Sequence, residues 1–188
     1  MQSHWLKKPE LNYSKKVFDI VQFGSSIIEG KEPNDLDVAV IFRAVPVKEQ
    51  ISEAHEIKNQ LKKFTNLSVH ISSFDLYSLF NEGNFAREGI LIYGKSLISG
   101  SYFSEKIGFV PKIHISYRLN DKEKKDKVRL NYILNGKGKK YGLLREYGGQ
   151  IISPGLIEIE PSFEDIFTES VKKVTSNFEV KKLLLHKS

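Results

Sequence analysis

Two aspartates separated by a single residue open an apolar run in this chain, and a Gly-Ser pair closes another apolar run shortly before them. The stretch reads VQFGSSIIEGKEPNDLDVAVIF over residues 21–42, with nine residues between the first serine and the first aspartate. The runs at 19–23 and 35–42 are typical of strands, and the Gly, Pro and Asn residues between them are typical of a loop. Because side chains alternate across a strand, Asp35 and Asp37 are predicted to point to the same face.

The carboxylates of Asp35 and Asp37 are therefore expected to converge, and their like charges repel unless a cation lies between them or one group is protonated. Mg²⁺ suits such a pair because it takes oxygen ligands and completes its shell with water and substrate phosphates. Gly24 would let backbone N–H groups approach a phosphate closely, and Ser25 and Ser26 would add hydroxyl donors. The stretch thus predicts a site for Mg²⁺ or Mn²⁺ together with a nucleoside triphosphate.

This arrangement resembles the signature of the minimal nucleotidyltransferases in the DNA polymerase β superfamily. That signature is an apolar residue followed by Gly-Ser, then a loop, then Asp-x-Asp between apolar residues, and residues 23–25 and 35–38 match it. The segment Ala86–Lys95 also resembles the end of such domains, so the likeness covers about residues 13 to 98.

The resemblance implies a mixed sheet flanked by helices and the transfer of a nucleoside monophosphate from an NTP to an acceptor. It also implies that Gly24 and Ser25 hold the β and γ phosphates, and that Asp35 and Asp37 bind the catalytic metals. An RNA or DNA end is the acceptor that we expect. A small molecule or a partner protein stays open, because minimal nucleotidyltransferases include enzymes of both kinds.

Catalytic members of this family usually carry a third carboxylate on the strand after the helix, where this chain has Val69-His70-Ile71. In the family, that acid helps to bind the second metal and takes the proton from the attacking hydroxyl. His70 is either the general base itself, since a neutral imidazole accepts protons, or a hydrogen-bonded strand residue without a catalytic part. Asp75 either supplies the missing acid or caps a helix start. The third interpretation is a site that binds nucleotide or metal without turnover.

The apolar periodicity along the whole chain predicts an α+β fold. The predicted elements after the aspartate strand are a helix with an apolar stripe from Val47 to Phe64, a strand at 67–72, a helix at 74–80, a strand at 112–119, a basic helix at 122–134, a Gly/Lys loop at 135–140, a helix at 141–147, a strand at 156–160, a helix from 161 and a strand at 179–185. Small residues cluster near residue 99, and the charge balance changes there. We therefore expect a nucleotidyltransferase-like domain at 1–99, a polymerase-β-type mixed sheet flanked by helices, and a small basic α+β domain at 100–188.

The positive charge lies in the middle of the chain. Residues 1–103 hold 12 Lys and Arg against 12 Asp and Glu, whereas residues 104–150 hold 12 against 5. A local excess of this kind attracts polyanions and favours nucleic acid as a partner. The predicted nucleic-acid-binding residues are Lys122, Lys124, Lys125, Arg129, Lys137, Lys139 and Lys140.

Three tyrosines, Tyr132, Tyr141 and Tyr147, are interleaved with these cations. Tyrosine rings stack on unpaired bases, so the mixture suits RNA or single-stranded DNA. The alternative is a solvated helix face whose tyrosines anchor it to the core, because charge runs are commonly just surface.

The composition also excludes several classes of function. The chain has no cysteine, which excludes disulfides, thiolate zinc sites and a cysteine nucleophile. Its histidines form no helical HxxxH pair, so oxygen ligands are expected for any metal. There is no run of about eighteen apolar residues and no signal-peptide pattern at the start, so we expect a cytoplasmic protein without a membrane partner.

Two functions of different kinds follow from the sequence. The first is a Mg²⁺-dependent nucleotidyltransferase whose basic C-terminal domain presents a nucleic acid to the site. The second is a catalytically inactive protein of the same fold that binds nucleic acid or a protein partner.

Overall fold

A computed structural model describes residues 4–81, 83–84, 86–138 and 140–187. Helices and sheets are mixed along the chain, which confirms the predicted α+β class. The chain divides into two compact units, one running to Val110 and including His186 and Lys187, the other covering Pro111–Leu185. The first unit thus continues past residue 99, where the small residues cluster. No helix within the described ranges has both the length and the apolar character that a membrane crossing requires.

The first unit is built on a four-stranded mixed sheet. Its elements are β1 (Val17–Phe23), a 3₁₀ turn (Gly24–Ile27), β2 (Asp35–Phe42), α1 (Val47–Leu61), β3 (Ser68–Asp75), a 3₁₀ turn (Ser78–Phe80), a π-helical turn (Gly89–Tyr93), β4 (Lys95–Ser96) and α2 (Phe103–Lys106). The strand order is β3-β2-β1-β4. β1 runs antiparallel to β2 and β4, whereas β3 runs parallel to β2 and is reached through α1.

Helix α1 packs its buried side against one face of this sheet. Ala54, Ile57 and Leu61 join a core cluster with sheet residues such as Leu36 and Val69. This is the centre of the predicted apolar stripe. Its ends differ from the prediction, because Val47, Ile51 and Phe64 are exposed. The buried side begins at Gln50, whose amide donates to the carbonyl of Val45.

On the opposite face of the sheet, β2 is covered along its later part. Ala39 and Ile41 are buried there with Leu79, Ile90 and Phe103. At the start of β2, Asp35 and Asp37 are half-buried. The strand therefore has the solvated start and buried finish that its residue pattern predicts, and the open part of the face carries both aspartates.

The second unit contains a four-stranded sheet, a short hairpin and three helices among its described residues. Its elements are β5 (Phe109–Tyr117), α3 (Lys124–Asn135), β6 (Gly136–Lys137), β7 (Lys140–Tyr141), α4 (Leu143–Glu146), β8 (Gln150–Ser153), β9 (Leu156–Ile159), a 3₁₀ turn (Pro161–Phe163), α5 (Glu164–Lys172) and β10 (Phe178–His186). The sheet order is β10-β5-β9-β8, and β6 pairs with β7. The predicted Gly/Lys loop is therefore a hairpin, and β8 is a strand that the sequence pattern did not indicate.

Candidate metal and phosphate site

Strand pairing brings Asp35, Asp37 and His70 to one face of the first sheet. Asp37 lies opposite His70 in the parallel β2–β3 ladder, and Asp35 lies opposite Ser68. Leu36 and Val69, which alternate with these polar residues, point into the core cluster under α1. Alternation within each strand and register between the strands together place all three polar side chains on the open face.

The three side chains are close enough to share one cation. The Nδ1 atom of His70 lies 3.2 Å from Oδ2 of Asp35 and 3.9 Å from Oδ1 of Asp37. Neighbouring ligands of an octahedral Mg²⁺ are about 3 Å apart, given metal–oxygen distances of about 2.1 Å. Within the described ranges, these residues are the one group of three His, Asp or Glu side chains whose ligand atoms cluster in this way. The donor set and its spacing therefore fit a divalent cation.

The surroundings of Asp35 and Asp37 do not supply enough positive charge to favour ionisation of both carboxyl groups. Partial burial raises the pKa of Asp37 above its ordinary value, and the negative charge of Asp35 raises it further, while His70 acts in the opposite direction. Ionising both acids is thus opposed in the protein alone. A cation placed between them would relieve that opposition.

The corner at Gly24 lies directly against the carboxylate of Asp37. Phe23 at the end of β1 is the register partner of Asp37, and Gly24 follows with φ at +76°, in the left-handed region. A Cβ atom at Gly24 would lie 2.5 Å from Oδ2 of Asp37. A larger residue would therefore clash with the acid in addition to straining the backbone.

Ser25 is half-buried beside this corner, whereas Ser26 belongs to its interior. The hydroxyl of Ser26 is buried, accepts a hydrogen bond from Nε2 of Gln22 at 2.9 Å and donates to the carbonyl of Phe23 at 3.3 Å. Ser26 is one of the serines predicted to contact phosphate, but its hydroxyl forms hydrogen bonds within the turn instead.

Gln22 is a residue of this site that the sequence pattern did not indicate. It is fully buried, its Oε1 accepts from the backbone N–H of Leu6, and its Nε2 donates to the carbonyl of His4 as well as to Ser26. The side chain joins the N-terminal segment to the Gly-Ser corner. A lone amide between apolar neighbours in a predicted strand is the sequence signal that could have pointed to it.

Asp75 lies away from the aspartate pair. It is the register partner of Phe42, at the opposite end of the β2–β3 ladder from Asp37 and His70. Its carboxylate accepts hydrogen bonds from the backbone N–H groups of Tyr77 and Ser78, both at 2.8 Å. Of the two roles considered for Asp75, the structure therefore favours capping. The predicted helix at 74–80 is shorter than expected, because β3 pairs with β2 as far as Asp75.

The predicted nucleic-acid-binding cations belong to the second unit. Lys124, Arg129, Lys137 and Lys140 are exposed, and Lys139 lies outside the described residues. Two members of the set form ion pairs near the start of α3, Lys122 with Asp121 at 3.3 Å and Lys125 with Glu123 at 2.9 Å. Surface pairs of this kind contribute little energy, so they leave both lysines able to meet a phosphate.

The three tyrosines of this region have different environments. Tyr147 packs against Phe163 and Phe167, as the core-anchor interpretation expects. Tyr132 and Tyr141 are 42% and 64% exposed, so they present their rings to solvent. The surface therefore contains both cations and accessible aromatic rings.

No protein-family model matches this chain, and the comparison with curated proteins found no relative. The site geometry and the chemistry of its side chains therefore carry the functional conclusion.

Proposed function

We propose that the first unit is a divalent-cation-dependent nucleotidyltransferase that transfers a nucleoside monophosphate from an NTP to an acceptor hydroxyl. The observation that carries the proposal is the approach of Asp35, Asp37 and His70 to one another on the open face of the sheet, directly beside the Gly24 corner. The resemblance of residues 23–25 and 35–38 to the polymerase β superfamily signature supports the same chemistry.

In this proposal, Asp35 and Asp37 hold Mg²⁺ or Mn²⁺, and Gly24 and Ser25 bind the phosphates. A divalent cation there would supply positive charge against the triphosphate and the carboxylates. The acceptor oxygen forms a bond to the α-phosphorus, the bond between the α-phosphorus and the bridging oxygen breaks, and pyrophosphate leaves. The hydroxyl proton must pass to a base, because the attacking oxygen is neutral before the reaction.

We assign that proton to His70. If the Nδ1 atom carries the ring hydrogen toward Asp35, that atom is not a metal ligand, and the cation would be held by Asp35 and Asp37 alone. Nε2 then carries the lone pair, and the carboxylate fixes the tautomer of the base. The side chain of His70 is 60% exposed, so an acceptor hydroxyl can reach it. His70 would thus take over the proton-accepting role of the missing third carboxylate.

The test is label transfer from α-³²P-NTPs in Mg²⁺ or Mn²⁺ to a panel of RNAs, DNAs and small acceptors. We expect transfer by the wild-type chain and its loss in Asp35→Ala and Asp37→Ala. Asp75→Asn is the matched control, since this acid lies at the other end of the same strand pair. Transfer that persists without Asp35 and Asp37 would overturn the proposal.

His70 also supports a second candidate function, a catalytically inactive protein that binds nucleotide, nucleic acid or a protein partner. In that case the histidine only contacts the aspartates and takes no proton from an acceptor. We then expect the wild-type chain to bind NTP without transferring label to any acceptor, and His70→Asp to leave it inactive. Transfer by the wild-type chain that is slowed by His70→Asn would favour the enzyme.

A further inference from the structure

Two exposed tyrosine rings in the second unit each have a cation stacked against one face. The Nζ atom of Lys137 lies 5.0 Å from the ring centroid of Tyr132. The guanidinium carbon of Arg145 lies 3.9 Å from the ring centroid of Tyr141. Such contacts hold a ring in place and keep positive charge beside it, while the exposed part of the ring stays accessible.

Glycines fix the backbone that carries these two pairs. The hairpin β6–β7 follows α3 at Gly136, where φ is +88° and a Cβ atom would lie 2.1 Å from the carbonyl oxygen of Lys140. At Gly142, a Cβ atom would lie 2.3 Å from the backbone nitrogen of Gly136. The end of α3 and the glycine that follows β7 are thus in close backbone contact.

The positive charge of the chain is concentrated around these two pairs. Residues 122–147 hold nine Lys and Arg and three Asp and Glu, a balance of +6, equal to the net charge of the protein. On α3, Lys125, Arg129 and Tyr132 are three or four residues apart and share one side of the helix. Leu130 and Leu134, on the opposite side, are buried.

We propose that this region binds single-stranded nucleic acid, with Tyr132 and Tyr141 stacking on bases and the cations meeting phosphates. Its residues are Lys125, Arg129 and Tyr132 on one side of α3, Lys137 beside Tyr132, and the separate pair of Tyr141 and Arg145. Duplexes keep their bases stacked on one another, so only an unpaired strand can use both the rings and the charge. The inference goes beyond the proposed function and is independent of it, because the binding needs neither NTP nor a cation in the first unit.

The test uses the full chain and fluorescence anisotropy with a labelled single-stranded RNA 15-mer, the DNA of the same sequence and the corresponding duplexes. We expect at least about 10-fold tighter binding of the single strands. Tyr132→Ala and Tyr141→Ala should each weaken binding by about 10-fold, and Tyr141→Phe should restore it, because base stacking needs the ring and not the hydroxyl. Arg129→Ala should lower the slope of log affinity against log salt by about 0.7, the value for one lost phosphate contact on a single strand.

Tyr77→Ala is the matched control, because Tyr77 is 83% exposed but belongs to the first unit. It should bind single strands as the wild type does. Equal affinity for single strands and duplexes, or Tyr132→Ala and Tyr141→Ala variants that bind normally, would overturn the inference. So would binding to anionic phospholipid vesicles with no binding to RNA or DNA, which would make this region a membrane contact instead.

Discussion

Gly24 and Asp37 are in direct contact across the β1–β2 corner, with space for a hydrogen but not for a methyl group on the glycine. The 2.5 Å separation between a Cβ atom placed at Gly24 and Oδ2 of Asp37 makes the Gly-Ser turn and the aspartate pair one structural unit. Glycine thus has two functions here, since it adopts the positive φ and leaves the carboxylate free to turn toward a ligand.

We expect Gly24→Ala to lower the rate of label transfer by about 100-fold, since displacements of about 1 Å at a reacting centre have effects of this size. Gly108→Ala is the control, because its φ is +90° but no atom lies near a Cβ placed there. Gly108→Ala should show only the backbone cost, about 1–2 kcal/mol of stability, with normal transfer. Equal loss of activity in the two variants would show that the contact with Asp37 is unimportant.

Asp37→Asn is expected to stabilise the protein when divalent cations are removed with EDTA. The folded-state pKa of Asp37 is raised above 3.8 by partial burial and by Asp35, so ionisation costs stability as the pH rises from 3.8 through the raised value. At pH 7 we expect a rise in Tm of up to about 4 °C, because the side chain of Asp37 is partly exposed and solvent screens its charge. The gain should vanish at pH 3, where the acid is protonated in both states. Asp75→Asn should give no such gain, and a lower Tm for Asp37→Asn would contradict this account.

Gln22→Leu is expected to detach the N-terminal segment from the Gly-Ser corner. The substitution removes the acceptor of the Leu6 amide and the donor to the buried Ser26 hydroxyl. Each unsatisfied group costs about 1–3 kcal/mol, so unfolding should become easier by at least that amount. Hydrogen exchange at the Leu6 amide should also accelerate. The double variant Gln22→Leu/Ser26→Ala should recover part of the stability, and unchanged exchange at Leu6 would contradict the prediction.

Glu158 in the second unit is expected to set part of the acid sensitivity of the protein. Burial alone would raise the pKa of its carboxyl, but hydrogen bonds from His114 and Gln150, with the charge of Lys112, outweigh burial and hold the pKa below its ordinary value of 4.5. The resulting stability is present above pH 4.5 and is lost as the pH falls through the lowered pKa. Thermal unfolding followed by circular dichroism against pH should therefore show a weaker decline below pH 4.5 in Glu158→Gln.

At pH 7 the same variant should lose about 1–2 kcal/mol, because hydrogen bonds to a charged group are replaced by neutral ones. Glu160→Gln, at an exposed glutamate two residues further on, should leave the acid decline of the wild type unchanged. An identical decline in wild type and Glu158→Gln would contradict the assignment.

The aspartate strand illustrates what can be predicted from residues alone. Alternation within β2 predicted that Asp35 and Asp37 share a face and that the strand ends in the core, and both are found. The local pattern was sufficient there, because the order of apolar and polar residues indicates which face of the strand is buried. The proximity of His70 to the pair also depends on which strands are neighbours and on their register, which the resemblance suggested and which local pattern does not contain.

The features that the sequence did not predict have a common physical cause, which is pairing with partners elsewhere in the folded chain. Residues 74–75 extend β3 because they pair with the end of β2, although their sequence favours the start of a helix. The strands Gly136–Lys137 and Lys140–Tyr141 pair as a hairpin through main-chain bonds that composition does not signal. The importance of Gln22 arises largely from Leu6 and His4, sixteen and eighteen residues away in sequence, which a local pattern does not bring together.

The parallel pairing of β2 and β3 has one more consequence, which concerns insertions and deletions. The connection between α1 and β3, residues 62–67, precedes the first register pair of β2 and β3, yet its length determines which β3 residue faces Asp37. A slip of one position would replace the imidazole with the aliphatic side chain of Val69 or Ile71 and turn His70 toward the core. We therefore expect this connection to tolerate changes of residue identity far better than changes of residue number.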